Sequence, residues 1–272
     1  LIMIYDSLSL NNGGGIISTT QKSEQSGRAS LCIGIGGVGI AALAQLKRKV
    51  FQQLEPDDPD SPIPHYQHIQ FLAIDSDRTD IDKLKGAAKL TSDEFFPVTM
   101  KNLAAVLSQK PKTIITQNPV MSWMEADKIE KLLSPQGAGG VRQVGRFLLL
   151  SKASELMNVI EQKCAAALMG TDPSTDPSID VYVFAGLSGG TGGGCFIDTC
   201  YIIRKVLAEL GLTHNSALSG FFFLPDVVCS RPGLAGSIGA VQYNYENGYA
   251  TLKELDYLMN LQDAQDWFCQ NY

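Results

Sequence analysis

Several absences bound this chain before any motif is read. It has six cysteines, none of them in a C-x-x-C pair, and only three histidines. A zinc ribbon or a disulfide framework is therefore not expected, and buried free thiols in a reducing cytoplasm explain the cysteines best. No G-x-x-x-x-G-K-[ST] run occurs, which argues against a P-loop NTPase. No apolar stretch reaches the roughly 18 residues of a membrane-spanning helix. The net charge of −6 and the lack of a long basic run argue against a nucleic-acid surface as the main business. The opening LIMIYDSLSL is apolar but has no basic leader and no cleavage-like site, so a signal peptide is not expected.

What is present is a sizeable, ordinary globular composition. With 272 residues, 44% hydrophobic and 18% charged, the chain is long enough for one large α/β domain. Residues 1–30 read as a flexible N-terminal segment, rich in Gly and Ser over 11–30. Leu31–Ile35 reads as a short buried strand and Val38–Leu54 as a helix, with Lys47, Arg48 and Lys49 on its solvated face. Glu55–Gln67 carries four prolines and four acids and must be a surface loop. HIQFLAIDSD is a second buried strand ending at Asp75 and Asp77. Residues 80–135 are mixed; 102–107 and 125–133 look helical and TIITQNPV extended. A glycine-rich break, PQGAGGVRQVGR, precedes a helix over Phe147–Leu168. VYVFAG and ALSGFFFL are further strands, a helix follows Cys195–Leu210, residues 225–240 are loop-like, and Tyr243–Met259 is helical. Alternating strand and helix predicts a doubly wound, mostly parallel sheet of Rossmann-like α/β type, whose ligands bind beyond the carboxyl ends of the strands. The glycine-rich breaks all fall there.

Two of those breaks carry the chemistry. Gly34–Gly39 reads GIGGVG, a G-x-G-x-x-G between strand and helix, where backbone N–H groups can approach a phosphate. Alone it fits a dinucleotide-binding or an adenylating enzyme as well, although the acid expected about 20 residues on is missing. Ser188–Gly194 reads SGGTGGG, five glycines in seven residues, again between a strand and a helix. Cys195 beside it reads as a packed small residue rather than a nucleophile.

SGGTGGG resembles the tubulin/FtsZ signature, with Gly193 departing where a small hydroxyl or methyl residue is usual. GIGGVG resembles that family's first phosphate loop, and QFLAIDSD its second strand end. GAGGVRQVGR resembles the loop over the terminal phosphate, with Val141 where FtsZ has asparagine. LSGFFFLPD resembles the next strand and loop, and ENGYATLKELDYL the start of the long central helix. The six segments keep the family's order, and a divergent bacterial tubulin-like protein is the nearest likeness.

The resemblance implies a nucleotide-binding domain over 31–258, with 259–272 continuing the central helix or starting a missing C-terminal part. It implies GTP or GDP with Mg²⁺ as ligands. Gly36, Gly37 and Val38 would meet the α- and β-phosphates. Ser188, Gly189, Gly190, Thr191 and Gly192 would wrap them from the other side, and Gly139 and Gly140 would cap the terminal phosphate. Arg142 and Arg146 become further phosphate contacts, Asp75 or Asp77 would order Mg²⁺ through water, and Asn247 and Tyr249 would read the guanine. The family implies head-to-tail self-association into filaments, with hydrolysis completed by an acid from the neighbouring subunit, so no catalytic residue is expected here. A non-hydrolysing scaffold is the alternative within the same fold. Segments 55–67 and 80–135 are candidate protein-partner surfaces.

Overall fold

A computed structural model describes residues 2–7, 28–53, 67–100, 123, 137–230 and 238–260. The expected helices at 102–107 and 125–133, the extended 113–120 segment, the 55–66 part of the proline-rich loop and the 261–272 continuation lie outside them. Six strands form one sheet: β1 (Ile2–Ser7), β2 (Ala29–Ile35), β3 (Ile69–Asp75), β4 (Phe95–Pro97), β5 (Ile179–Gly186) and β6 (Ala217–Phe223). Their order across the sheet is β1-β6-β5-β2-β3-β4. All neighbours are parallel except β1, which runs antiparallel to β6 at one edge, within the segment expected to be a flexible lead-in.

The pleat sorts the core. Leu31, Ile33 and Ile35 of β2 and Val181, Val183 and Ala185 of β5 face one layer. It is built from α3 (Arg142–Leu150), α4 (Ala153–Met169) and α5 (Gly190–Glu209). The alternate residues, Cys32 of β2 with Phe71 and Ala73 of β3, face Ile40 and Leu43 of α1 (Gly36–Gln53). Both faces of the central strands are therefore apolar, as a parallel sheet covered on two sides requires. Two single-turn helices, α2 (Thr79–Asp82) and α6 (Asp226–Cys229), the long α7 (Ile238–Met259) and two 3-10 turns, Gly86–Ala88 and Ser92–Glu94, complete the described elements.

Four expectations need correction. The helix expected at Phe147–Leu168 is two helices, broken at Ser151 and Lys152, where Ser151 Oγ turns back to Leu148 O at 2.7 Å. The glycine-rich motifs are not wholly loop: α1 starts at Gly36 and α5 at Gly190, so their later glycines form first helical turns. Residues 225–240 are not loop throughout, because α6 occupies 226–229 and α7 begins at Ile238, five residues before its expected start. Lys47 is not on a solvated face. It is 4% exposed and donates to Glu94 Oε2 at 2.5 Å and to Lys89 O at 2.9 Å. That pair, with Lys163 Nζ to Asp93 Oδ2 at 3.0 Å, fastens the β4 edge from α1 and from α4.

Candidate functional site

Four chain segments meet at the carboxyl ends of β2, β3 and β5. The first is Gly36–Gly39, which opens α1. The second is Asp75–Asp77 after β3. The third is the turn Gly137–Val141 before α3, and the fourth is Leu187–Gly192 leading into α5. Glycine permits the contacts between them. Gly36 has φ +68°, and a Cβ there would lie 2.8 Å from the Gly192 nitrogen. At Gly190 a Cβ would lie 2.8 Å from the Val141 nitrogen and 3.0 Å from Ala138 Cβ. Any side chain at either place would push the segments apart.

Polar side chains finish the assembly. Ser76 Oγ accepts from the Ala138 N–H at 3.0 Å and pairs with Thr191 Oγ1 at 2.8 Å, so one hydroxyl joins the second, third and fourth segments. From α7, Asn247 Nδ2 donates to Gly140 O and to Ser188 O, both at 3.0 Å. Tyr243 OH lies 3.3 Å from Gly140 O, and Thr251 Oγ1 donates to Leu187 O at 2.8 Å.

The helix starts favour an anion, while the Asp80 carboxylate stands against Gly37 and Asp75 is buried beside them. None of α1, α3 and α5 carries an acid in its first turn, and α3 and α5 have no side-chain cap at Val141 or Gly189. Their free N–H groups and positive dipole ends gather in one place. Ser188 Oγ is buried with no hydrogen-bond partner, a state proteins rarely leave without a reason. Gly189 beside it has open space where a side chain would be. The residues present thus fit a polyphosphate: open glycine backbone, uncapped helix starts and an unsatisfied hydroxyl.

Asp75 is 6% exposed and accepts from the Ser76 N–H at 2.7 Å. Burial pushes its carboxyl up to about 6, with the Thr191 hydroxyl and the Ser76 N–H pulling the other way. Asp77 is held below the ordinary carboxylate range by the hydroxyl and N–H of Thr79. Cys195 is buried, and desolvation lifts its thiol well above the ordinary value, consistent with a packing role.

The structure brings Gly36, Gly37, Val38, Asp75, Gly139, Gly140 and Ser188–Gly192 to one place. Arg142 and Arg146 each pair with an acid of the chain. Arg146 makes a two-pronged pair with buried Asp198, at 2.8 and 3.0 Å, and stacks 4.7 Å from the Trp123 ring. Arg142 bonds Gly193 O at 3.3 Å and pairs with Glu254. Both arginines line a cavity of about 260 Å³ with Gly193, Gly194 and Tyr257. Burial raises the Asp198 carboxyl to about 6 against the pull of Arg146. Asn247 spends its amide protons on two main-chain oxygens, and Tyr249 is 66% exposed, two positions along α7 and so on the opposite side. Sequence reasoning missed Ser76, Tyr243 and Thr251. The last two flank Asn247 at four-residue spacing, a signal that was available.

An open, mostly parallel sheet whose glycine-bearing turns converge at the strand ends, with helices starting there, defines a doubly wound α/β protein. The chain belongs to the family Tubulin_2, described as tubulin like, whose model matches residues 31–272. Among solved structures it is similar to CetZ from Methanosaeta thermophila strain DSM 6194. The identity is 13% and the TM-score 0.41, over 87% of this chain and 55% of that one. The chain thus spans about half the length of that relative. No curated protein matches it.

Proposed function

We propose that this chain carries the guanine-nucleotide site of a self-associating tubulin-like protein, taking GTP or GDP with Mg²⁺. One observation carries the reading: a buried, unpartnered Ser188 hydroxyl stands where three helix N-termini and four turns converge. In this reading Ser188–Gly192 and Gly36–Val38 hold the inner phosphates, and Gly139 and Gly140 the terminal one. Asp75 orders Mg²⁺ through water, balancing charge that a buried carboxylate would otherwise place against phosphate. The bound cation supplies charge neutralisation for phosphoryl transfer, and the chain's own part is positioning by main-chain donors. Family membership supports head-to-tail association, with the water-orienting acid coming from a neighbouring subunit.

The test is thermal. GTP and GDP should raise the melting temperature while NAD and ATP do not, and Ser188→Ala should weaken the guanine-nucleotide effect by removing one donor. Stabilisation by NAD or ATP alone would move the reading to a dinucleotide-binding or adenylating enzyme. A hydrolysis rate per subunit that is high and independent of protein concentration would sink the shared-site part.

A further inference from the structure

We propose that the cavity where α3, α5 and α7 meet is a binding site for a small aromatic carboxylate, which takes the place of Glu254 on Arg142. The inference is independent of the nucleotide reading. The cavity shares none of the cradle residues Gly36–Val38, Gly139, Gly140 or Ser188–Gly192.

Helical repeat builds the space. Arg142 and Arg146 stand four residues apart on α3, Gly194 and Asp198 four apart on α5, and Glu254 and Leu258 four apart on α7. Each helix therefore turns one face to it. Its volume of about 260 Å³ falls just under the roughly 300–1,000 Å³ of drug-sized sites, which limits the ligand to a small molecule.

The charges decide the kind of ligand. Arg146 is a fixed wall: it holds buried Asp198 through two hydrogen bonds and lies over the Trp123 ring. Arg142 is held differently. Its Nε bonds Gly193 O, and its other partner is Glu254, whose side chain is 52% exposed. An ion pair so open to water contributes little, so Glu254 is exchangeable. When Glu254 swings out, two guanidinium groups face one carboxylate, that of Asp198. One negative charge restores the balance, and a doubly charged anion exceeds it. A planar carboxylate also matches the donor fork of a guanidinium better than a point charge does.

The remaining walls suit a flat apolar body. Ile197, Tyr257 and Leu258 line the cavity beside the Trp123 ring. Among the described residues, Trp123 Nε1 and Ser188 Oγ are the buried side-chain polar atoms with no hydrogen-bond partner. Ser188 belongs to the phosphate cradle, but Trp123 belongs to this cavity. A carboxylate ligand brings acceptors to the wall that holds this unpaired donor.

The experiment titrates the full-length protein with benzoate and, in parallel, with benzamide and inorganic phosphate. Affinity is read by calorimetry. Location is read by the indole N–H signal of Trp123 in a two-dimensional NMR spectrum, assigned as the signal missing from Trp123→Phe. Benzoate should saturate with a Kd of about 1 mM or tighter, within reach of so small a ligand, and should shift the Trp123 signal. Benzamide and phosphate should each bind at least about tenfold more weakly, since each lacks the charge or the ring. Arg142→Gln should lose at least about tenfold in benzoate affinity. Glu254→Gln changes an exposed position and guards against a loss of folding; it should gain about threefold, because the competitor for Arg142 is gone. Benzamide or phosphate binding as well as benzoate would refute the ligand class. A Glu254→Gln variant that binds benzoate no better than wild type would refute the exchange. Absent saturation at tenfold higher benzoate, or binding that leaves the Trp123 signal unmoved, would overturn the site itself. Nucleotide binding enters none of these readouts, so its failure would leave this test standing.

Discussion

Replacing Asp75 with asparagine should stabilise the nucleotide-free protein, and only at neutral or higher pH. Burial lifts this carboxyl from 3.8 to about 6. Each pKa unit is worth about 1.4 kcal/mol, so holding the group charged costs about 3 kcal/mol above pH 6 or so. The folded protein binds the proton more tightly than the unfolded chain does. The group's contribution is therefore fully kept below about pH 4 and is lost as pH rises through about 6. Asparagine removes that loss but brings an amide whose two donors find only part of their needs, at a cost of about 1 kcal/mol. The net gain is about 2 kcal/mol at pH 8, or roughly 4–8 °C in melting temperature for a chain of this size.

The assay is a set of thermal melts of both proteins from pH 4 to pH 8, without nucleotide. The variant should be about 1 kcal/mol less stable than wild type at pH 4, and the difference should change sign as pH rises toward 6. Asp198, which also titrates near 6, is common to both proteins and cancels in the comparison. A second arm adds GTP with and without Mg²⁺, where the variant should lose most of the Mg²⁺-dependent gain. A variant that is less stable at pH 8, or a difference that does not move with pH, would refute the argument that burial dominates at Asp75.

Two further outcomes follow from packing. Gly193→Ser or Gly193→Ala places a Cβ 2.5 Å from Leu187 O and 3.1 Å from Thr251 Oγ1. It should destabilise by about 1–3 kcal/mol in denaturant melts, although it restores the residue type usual in the family. Lys47→Met strands the Glu94 carboxylate in a nearly buried place and should destabilise by about 3 kcal/mol. The double variant Lys47→Met, Glu94→Gln should recover most of that loss; a double variant no better than the single would show that the lysine acts by packing alone.

The fold was legible because both faces of β2, β3 and β5 are covered, which leaves short apolar runs that end in glycine or aspartate. The position of the site was legible for the same reason. The partners of its charged residues were not. Arg146 is neutralised by Asp198, 52 residues away, and Arg142 by Glu254, 112 residues away, so nothing near either arginine in sequence revealed its fate. Asn247 carries the right chemistry for a base edge, and only the approach of Gly140 and Ser188 shows where its protons go. Lys47 is a different kind of miss. It falls seven residues after Ile40 and four after Leu43, on the buried stripe of α1, so helical periodicity placed it inside although its charge argued for solvent.

The glycines of the signature have two physical tasks that sequence alone merges. At Gly192, Gly193 and Gly194 a Cβ would lie 2.4, 2.5 and 2.3 Å from the carbonyl oxygens of Gly186, Leu187 and Arg142. These glycines exist for close packing: they let the first turn of α5 press onto β5 and α3. Gly189 alone in the run has nothing within 4 Å and leaves the space a ligand would use. The packing has an electrostatic consequence. It draws the starts of α1, α3 and α5 together, each worth roughly half a positive charge. Three like poles in one place repel unless an anion lies among them. The cradle is thus produced by the packing glycines and stabilised by whatever fills it, which predicts that pyrophosphate, lacking any base, recovers part of the thermal stabilisation given by GTP.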